Sequence, residues 1–263
     1  MEMEYKSIVL IILIYLLVQV MGLLIAQELL EKIEAEIIPP AVENPHSPYS
    51  SALLFIYILS ATVILLILLK FKLDFLIRIL MLFAILSGLS ITFTIFLGSA
   101  GILAAILFLI IGILNKENAF VMNLLLLFTL PGIGGYLGAS LSFIPSLILL
   151  LGLSLYDVIA VFGTKHMVTL AKGMKEIPVM FTIPFKGRIL GLGTGDLTIP
   201  LIFSVSVLRD FTVLNAILTS LGGLTGLILL FIYMQNKKET SLPALPPIAL
   251  GLILGFCSGI FLL

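Results

Sequence analysis

The chain has 263 residues, no net charge at pH 7, 61% hydrophobic residues and only 11% charged ones. A soluble domain carries about a quarter charged residues, so a soluble globular protein is excluded. The neutral balance also excludes the basic field that nucleic-acid binding needs. What remains is an all-α integral membrane protein with many spans.

A crossing helix needs roughly 20 mostly apolar residues, and on that rule the chain divides into nine predicted spans. The first, about 7–26, contains "SIVLIILIYLLVQVMGLLIA", follows Glu2 and Glu4 and has no small-residue cleavage site. It reads as a retained span rather than a signal peptide. The acidic, Pro-rich stretch after it is predicted to be a solvated cap. The second span covers about 51–69. The third and fourth, about 75–94 and 96–115, have no charge or proline between them. The fifth and sixth, about 119–138 and 143–163, are joined by "LGASLSF".

The basic loop 164–188 follows, and its "IPVMFTIPF" is strand-like, with prolines that suit an edge strand. The seventh and eighth spans cover about 189–208 and 211–234. The ninth, 243–263, opens on "LPALPPIAL" and ends in a run where the single Cys257 is a small packing residue. One cysteine rules out an internal disulfide or a cysteine-rich metal site. No internal repeat is visible, and the helix interruptions gather toward the C-terminus, unlike a transporter built from inverted repeats. A single polytopic membrane domain is expected over 1–263: spans one to six, the loop, then spans seven to nine.

Basic residues concentrate in cytoplasmic loops. With the N-terminus inside, Lys6, Lys70, Lys72, Arg78, Lys116, Lys165, Lys172, Lys175, Lys186, Arg188, Lys237 and Lys238 fall on the cytoplasmic side, and only Lys32 and Arg209 outside. That asymmetry predicts a cytoplasmic N-terminus and an outside C-terminus.

Sorting the acids in the same way leaves two inside spans, Asp157 in "LSLYDVIAVFG" and Asp196 in "GLGTGDLTIP". Each costs at least about 2.5–3.5 kcal/mol on insertion scales, so such residues mark function. Asp157 lies seven residues before Thr164 and Asp196 eight after Arg188. At helical rise both sit roughly 10–12 Å below the cytoplasmic surface, on antiparallel neighbouring spans. Gly191, Gly193 and Gly195 precede Asp196, each costing a helix about 1 kcal/mol relative to Ala. They allow close approach of another backbone and ease unwinding, which a membrane tolerates only against protein or a cavity. Pro243, Pro246 and Pro247 mark either a helix start or an extended segment lining the site.

Two carboxylates a few ångströms apart share one proton and titrate as a unit. The ionised member takes a proton from water while the protonated one polarises a peptide carbonyl, which is aspartic-protease chemistry. It calls for no metal, cofactor or covalent nucleophile. His46 and His166 fall in loops as solvated residues, so no zinc site or Ser–His dyad is expected.

"YD", "GTGD" and "PAL", in that order in the sixth, seventh and ninth spans, resemble the three signatures of the GxGD-type intramembrane aspartyl proteases. That group comprises the presenilins, the signal peptide peptidases and their archaeal homologues, and an archaeal homologue is expected. "YDVIAVFGTKHMVTLAK" and "GDLTIP" are more similar to signal peptide peptidases, while the "AV" after "YDVI" resembles presenilins. The resemblance implies a presenilin-like fold with Asp157 and Asp196 as catalytic aspartates. Tyr156, Gly193 and Gly195 fall on site-shaping positions, and Pro243, Ala244 and Leu245 on the substrate-cleft motif. Thr194 stands at the variable position between the glycines, usually apolar in the family, and bears on substrate preference. The short loop 164–188 implies an intact chain rather than one cut during maturation.

The implied partners are transmembrane helices of substrate proteins, in a cell membrane or an internal, endoplasmic reticulum-type membrane. Nothing in the sequence sets the oligomeric state. The competing reading of the same residues is a transporter or channel using the Asp pair to relay protons or bind a cation.

Overall fold

Backbone amides and carbonyls in hydrocarbon must be paired within the protein, which favours helices. The computed structural model describes residues 2–42, 44–164, 180–185, 188–235 and 242–262. Among these are α1 (Glu2–Glu34), α2 (Pro48–Lys70), α3 (Asp74–Leu97), α4 (Gly101–Leu114), α5 (Ala119–Ala139), α6 (Phe143–Ile159), α7 (Gly195–Asp210), α8 (Val213–Gln235) and α9 (Leu245–Leu262). Two strands, β1 (Met180–Phe185) and β2 (Arg188–Gly193), lie between α6 and α7.

Seven helical stretches in the described residues are long and apolar enough to cross a membrane. The difference from the nine predicted spans has two sources. First, α3 and α4 form one continuous apolar stretch, Asp74–Leu114. It is broken only by a 3-10 turn, Gly98–Ala100, that starts on Gly98 at φ 61°. That backbone conformation is open to glycine at little cost, so the turn needs no charge or proline. Second, α7 has only 16 residues, about 24 Å of helix.

The seventh span is a correction. Residues 189–208 do not form one helix, because 188–193 is strand and α7 begins only at Gly195. Gly191 and Gly193 stand at alternate positions of β2, so they lie in the strand rather than in an unwound helix. Between Pro200 and Leu208 helix α7 carries no charged residue, as suits a segment enclosed by protein. Every residue from Pro200 to Leu208 is buried.

Around α7 pack α1, α5, α6, α8 and α9. At one end Asp210 accepts from the first amide of α6 (Phe143 N to Oδ2, 2.6 Å), and Arg209 Nη1 donates to the carbonyl of Ala139 at 2.7 Å. The stretch after α1 is packed rather than merely solvated. Val42 is buried, Ala41 N donates to Ser140 Oγ at 2.8 Å, and Tyr136 Oη donates to Pro39 O at 2.9 Å. His46 is exposed as expected, yet its Nδ1 is 2.8 Å from Ser142 Oγ. His166 lies outside the described residues.

Helices α8 and α9 approach through glycines. A Cβ on Gly251 would strike the carbonyl of Gly222, and one on Gly226 the carbonyl of Pro247. Small residues let membrane helices pack at backbone distance, and this contact sets where α9 begins. Gly251→Leu is therefore expected to lower stability by about 1–3 kcal/mol through overpacking. Leu250→Ala, at a side chain that is 65% exposed, should change little; thermal unfolding of the two purified variants in detergent checks the contrast.

Candidate active site

Asp157 lies two residues before the end of α6, at a position only 6% exposed. The next five residues, Ala160–Thr164, form a π-helical turn, a widening that recurs at functional sites. The amide of Ala160 is shared between the carbonyls of Asp157 and Tyr156. Tyr156 is half-buried and contributes this backbone contact at the α6 end.

The carboxylate of Asp157 is held by backbone. Leu245 N donates to its Oδ2 at 3.1 Å, and the amide of Ala244 donates as well. Both donors belong to the "PAL" stretch, of which Pro243 and Ala244 precede α9 and Leu245 is its first residue. The prolines thus mark a helix start, and that start is itself at the site. The first amides of a helix have no intrahelical partner. Here Leu245 gives its amide to Asp157, Pro246 and Pro247 have none, and Ile248 N reaches Ala244 O at 3.5 Å. The first turn therefore keeps no spare donor in an apolar setting, and its positive dipole end faces a carboxylate.

Asp196 is the second residue of α7. The amide of Gly193 donates to its carboxylate, and a Cβ on Gly193 would lie 2.8 Å from its Oδ2. A methyl group at Gly193 would therefore displace the Asp196 carboxylate from this position. Gly195 is different, since a Cβ there would meet only Ile199 Cδ1 at an ordinary 3.8 Å. The carbonyl of Thr194 closes the first turn of α7, accepting from Thr198 N at 3.0 Å and Thr198 Oγ1 at 2.9 Å.

The two carboxylates come close enough for the charge of Asp157 to be felt at Asp196. The route differs from the depth arithmetic, which assumed helical rise along 188–196. That stretch is mostly strand, where each residue advances roughly 3.3 Å. Asp196 is delivered to the site by the end of a hairpin rather than by a continuous helix.

In that hairpin β1 and β2 pair antiparallel, with Met180 opposite Gly193, Thr182 opposite Gly191 and Pro184 opposite Ile189. Phe181, Ile183 and Leu192 are buried on one face, against α1 and α5. The predicted strand in "IPVMFTIPF" is present over 180–185, whereas 177–179 lie outside the described residues.

Two polar contacts near the site escape a search confined to charged residues. Gln19 of α1 is buried, and its Nε2 donates to Leu197 O at 3.4 Å, beside Asp196. Asn123 of α5 bonds to both backbone groups of Thr182. A census of amide side chains inside predicted spans would have found both.

Fold and site together define a multi-pass helical membrane protein with two acids brought together inside it. A family model described as signal-peptide peptidase, presenilin aspartyl protease matches residues 12–190, and the chain belongs to that family. The match includes Asp157 and stops short of Asp196. Two solved structures of a presenilin family intramembrane aspartate protease share the fold. The one in the C222 space group has a TM-score of 0.72 and 23% identity, covering 97% of this chain and 99% of that one. The one in P2 has a TM-score of 0.69 and 27% identity, covering 96% of each. A comparison with curated proteins returns no match. The chain is accordingly an intramembrane aspartyl protease by family.

The glycine geometry separates two neighbouring variants. Gly193→Ala crowds the Asp196 carboxylate and is expected to remove most peptide-cleaving activity, while Gly195→Ala should retain substantially more. Cleavage of a model transmembrane peptide by the two variants, with thermal unfolding as the folding control, measures the difference.

Proposed function

We propose that Asp157 and Asp196 form the catalytic dyad of a GxGD-type endopeptidase that cleaves signal peptides or single-span membrane proteins within their transmembrane segments. The observation that carries this reading is the arrangement around the pair. The charge of Asp157 is felt at Asp196, and each carboxylate accepts from backbone amides of a different interrupted segment. A dyad with one proton supplies both catalysts. The ionised carboxylate takes a proton from water as the water oxygen bonds to the scissile carbonyl carbon. The protonated one donates to the carbonyl oxygen, regaining its proton from a hydroxyl of the resulting gem-diol when that intermediate collapses. Collapse of the tetrahedral intermediate breaks the C–N bond, and the proton first taken from water passes to the leaving amine.

The same reading takes the chain as one polytopic membrane domain crossing nine times, with the N-terminus cytoplasmic. Helices α3 and α4 count separately, and α7 is a short crossing inside the bundle. The bias of lysine and arginine supports that orientation, in a cell membrane. Pro243, Ala244 and Leu245 flank the substrate path, and Thr194 influences which side chains are accepted.

A substrate helix hides its carbonyls in its own hydrogen bonds, so it must open before attack. An extended, opened segment is stabilised by adding to a strand edge. The hairpin refines which edge is available. The outward-facing backbone of β1 is occupied by Asn123 at Thr182 and lacks an amide at Pro184, which leaves β2, around Gly191, as the edge next to Asp196.

Reconstituted protein with a model single-span peptide tests the reading. Asp157→Ala and Asp196→Ala are each expected to lower kcat/KM by about 10²–10⁴-fold or more, and a transition-state analogue of peptide hydrolysis should block the wild type. Ion flux without cleavage would instead establish the transporter reading. The pH profile of kcat/KM should be bell-shaped. Adding a second proton to the dyad removes the base, and removing the shared proton removes the acid. A profile flat across both limbs would exclude a shared-proton dyad.

A further inference from the structure

Asn123 sits in the second turn of α5, among apolar residues, where a side-chain amide needs protein partners in place of water. It finds two on one residue. Its Nδ2 donates to the carbonyl of Thr182 and its Oδ1 accepts from the amide of Thr182, each at 2.9 Å. A backbone amide only donates and a carbonyl only accepts, so the orientation of the Asn123 side chain is fixed by its partner. These are the two bonds that a neighbouring strand would make.

In an antiparallel ladder, successive residues face alternately toward the partner strand and away from it. Thr182 gives both its groups to Asn123, so it faces away from β2, as do Met180 and Pro184 two residues to either side. Pro184 has no amide to offer. The outer edge of β1 is thus closed at its middle by α5 and blunted at its far end. On β2 the matching outward positions are Ile189, Gly191 and Gly193, and the amide of Gly193 goes to Asp196.

Resting on the protease reading above, we infer that Asn123 is a positioning residue. Its side-chain amide stands in for a third strand on β1 and locks the hairpin to α5. Through Gly193 it determines which substrate bond meets the two aspartates. The register it protects has one cheap error. A slip of β2 against β1 by one residue would turn Leu192 out of the core, whereas a slip by two keeps it on the same face. Loss of the clamp therefore shifts cleavage to bonds two residues away from the normal one.

The experiment uses the full chain in liposomes with a model single-span peptide, measuring kcat, KM and the masses of the products. Asn123→Leu removes both bonds from the helix side. Thr182→Pro removes the donated amide from the strand side at an outward-facing position that tolerates proline, leaving Asn123 in place. Each is expected to lower kcat about tenfold, with KM within about twofold. Both should add products displaced by two residues, and the double variant should be no worse than either single one. Thermal unfolding accompanies each; should Asn123→Leu fail to fold, Thr182→Pro decides.

Unchanged kcat and product termini in the folded variants would overturn the inference. So would a double variant whose losses multiply to about a hundredfold, because Asn123 would then act elsewhere. If the wild type cleaves and needs both aspartates while the clamp variants match it, only this inference fails. A wild type that does not cleave, or that cleaves without Asp157 and Asp196, removes the protease reading and the inference with it.

Discussion

The site depends on one interaction, the contact between the Asp157 carboxylate and the amides that open α9. A carboxylate inside an apolar bundle needs donors, and a helix start in the same setting needs acceptors. Here each satisfies the other. Leu245 N lies 3.1 Å from Asp157 Oδ2 and Ala244 also donates, while Pro246 and Pro247 have no amide to leave exposed. The glycine contact between α8 and α9 places that helix start, so packing far from the aspartates determines how one of them is held. Removing either side of the contact would leave an unsatisfied polar group in the interior, which costs more than the bond contributes.

The second aspartate is positioned by different physics. The chain enters α7 through a hairpin whose inner face, Phe181, Ile183 and Leu192, is anchored in the core. Its outer edge on β1 is taken by Asn123. A strand edge inside a membrane protein must be paired, covered or given work to do. In this molecule one edge is covered and the other runs beside Asp196. Helix α7 then starts on Gly195, with Pro200 four residues beyond Asp196. Proline has no amide, so the usual helical bond to the Asp196 carbonyl is missing. The turn around Asp196 thus has one ladder bond fewer than a regular helix.

Family membership joins these features to an activity. The chain carries the signal-peptide peptidase and presenilin family match over 12–190 and shares the fold of solved presenilin family intramembrane aspartate proteases. Attack on a peptide bond in lipid needs a water, a place for an unwound backbone and a shared proton. The proposed dyad supplies the last of these, and the strand edge proposed to pair with substrate supplies the second.

The sequence by itself determined that the chain is a multi-pass helical membrane protein of this family, and it singled out Asp157 and Asp196. Those conclusions rest on local properties: apolar run length, the cost of a buried charge and the order of three short motifs. It also read a strand in "IPVMFTIPF", of which 180–185 is strand, and picked out the glycines beside Asp196. It did not locate the start of the seventh helix, because an apolar glycine-rich run has no period that separates strand from buried helix. Nor did it reveal that the amides of Ala244 and Leu245 hold Asp157, that Gly193 rather than Gly195 is sterically confined, or that Asn123 grips Thr182. Each of these joins residues remote in the chain or turns on tenths of an ångström, and only the packed tertiary structure brings those atoms together.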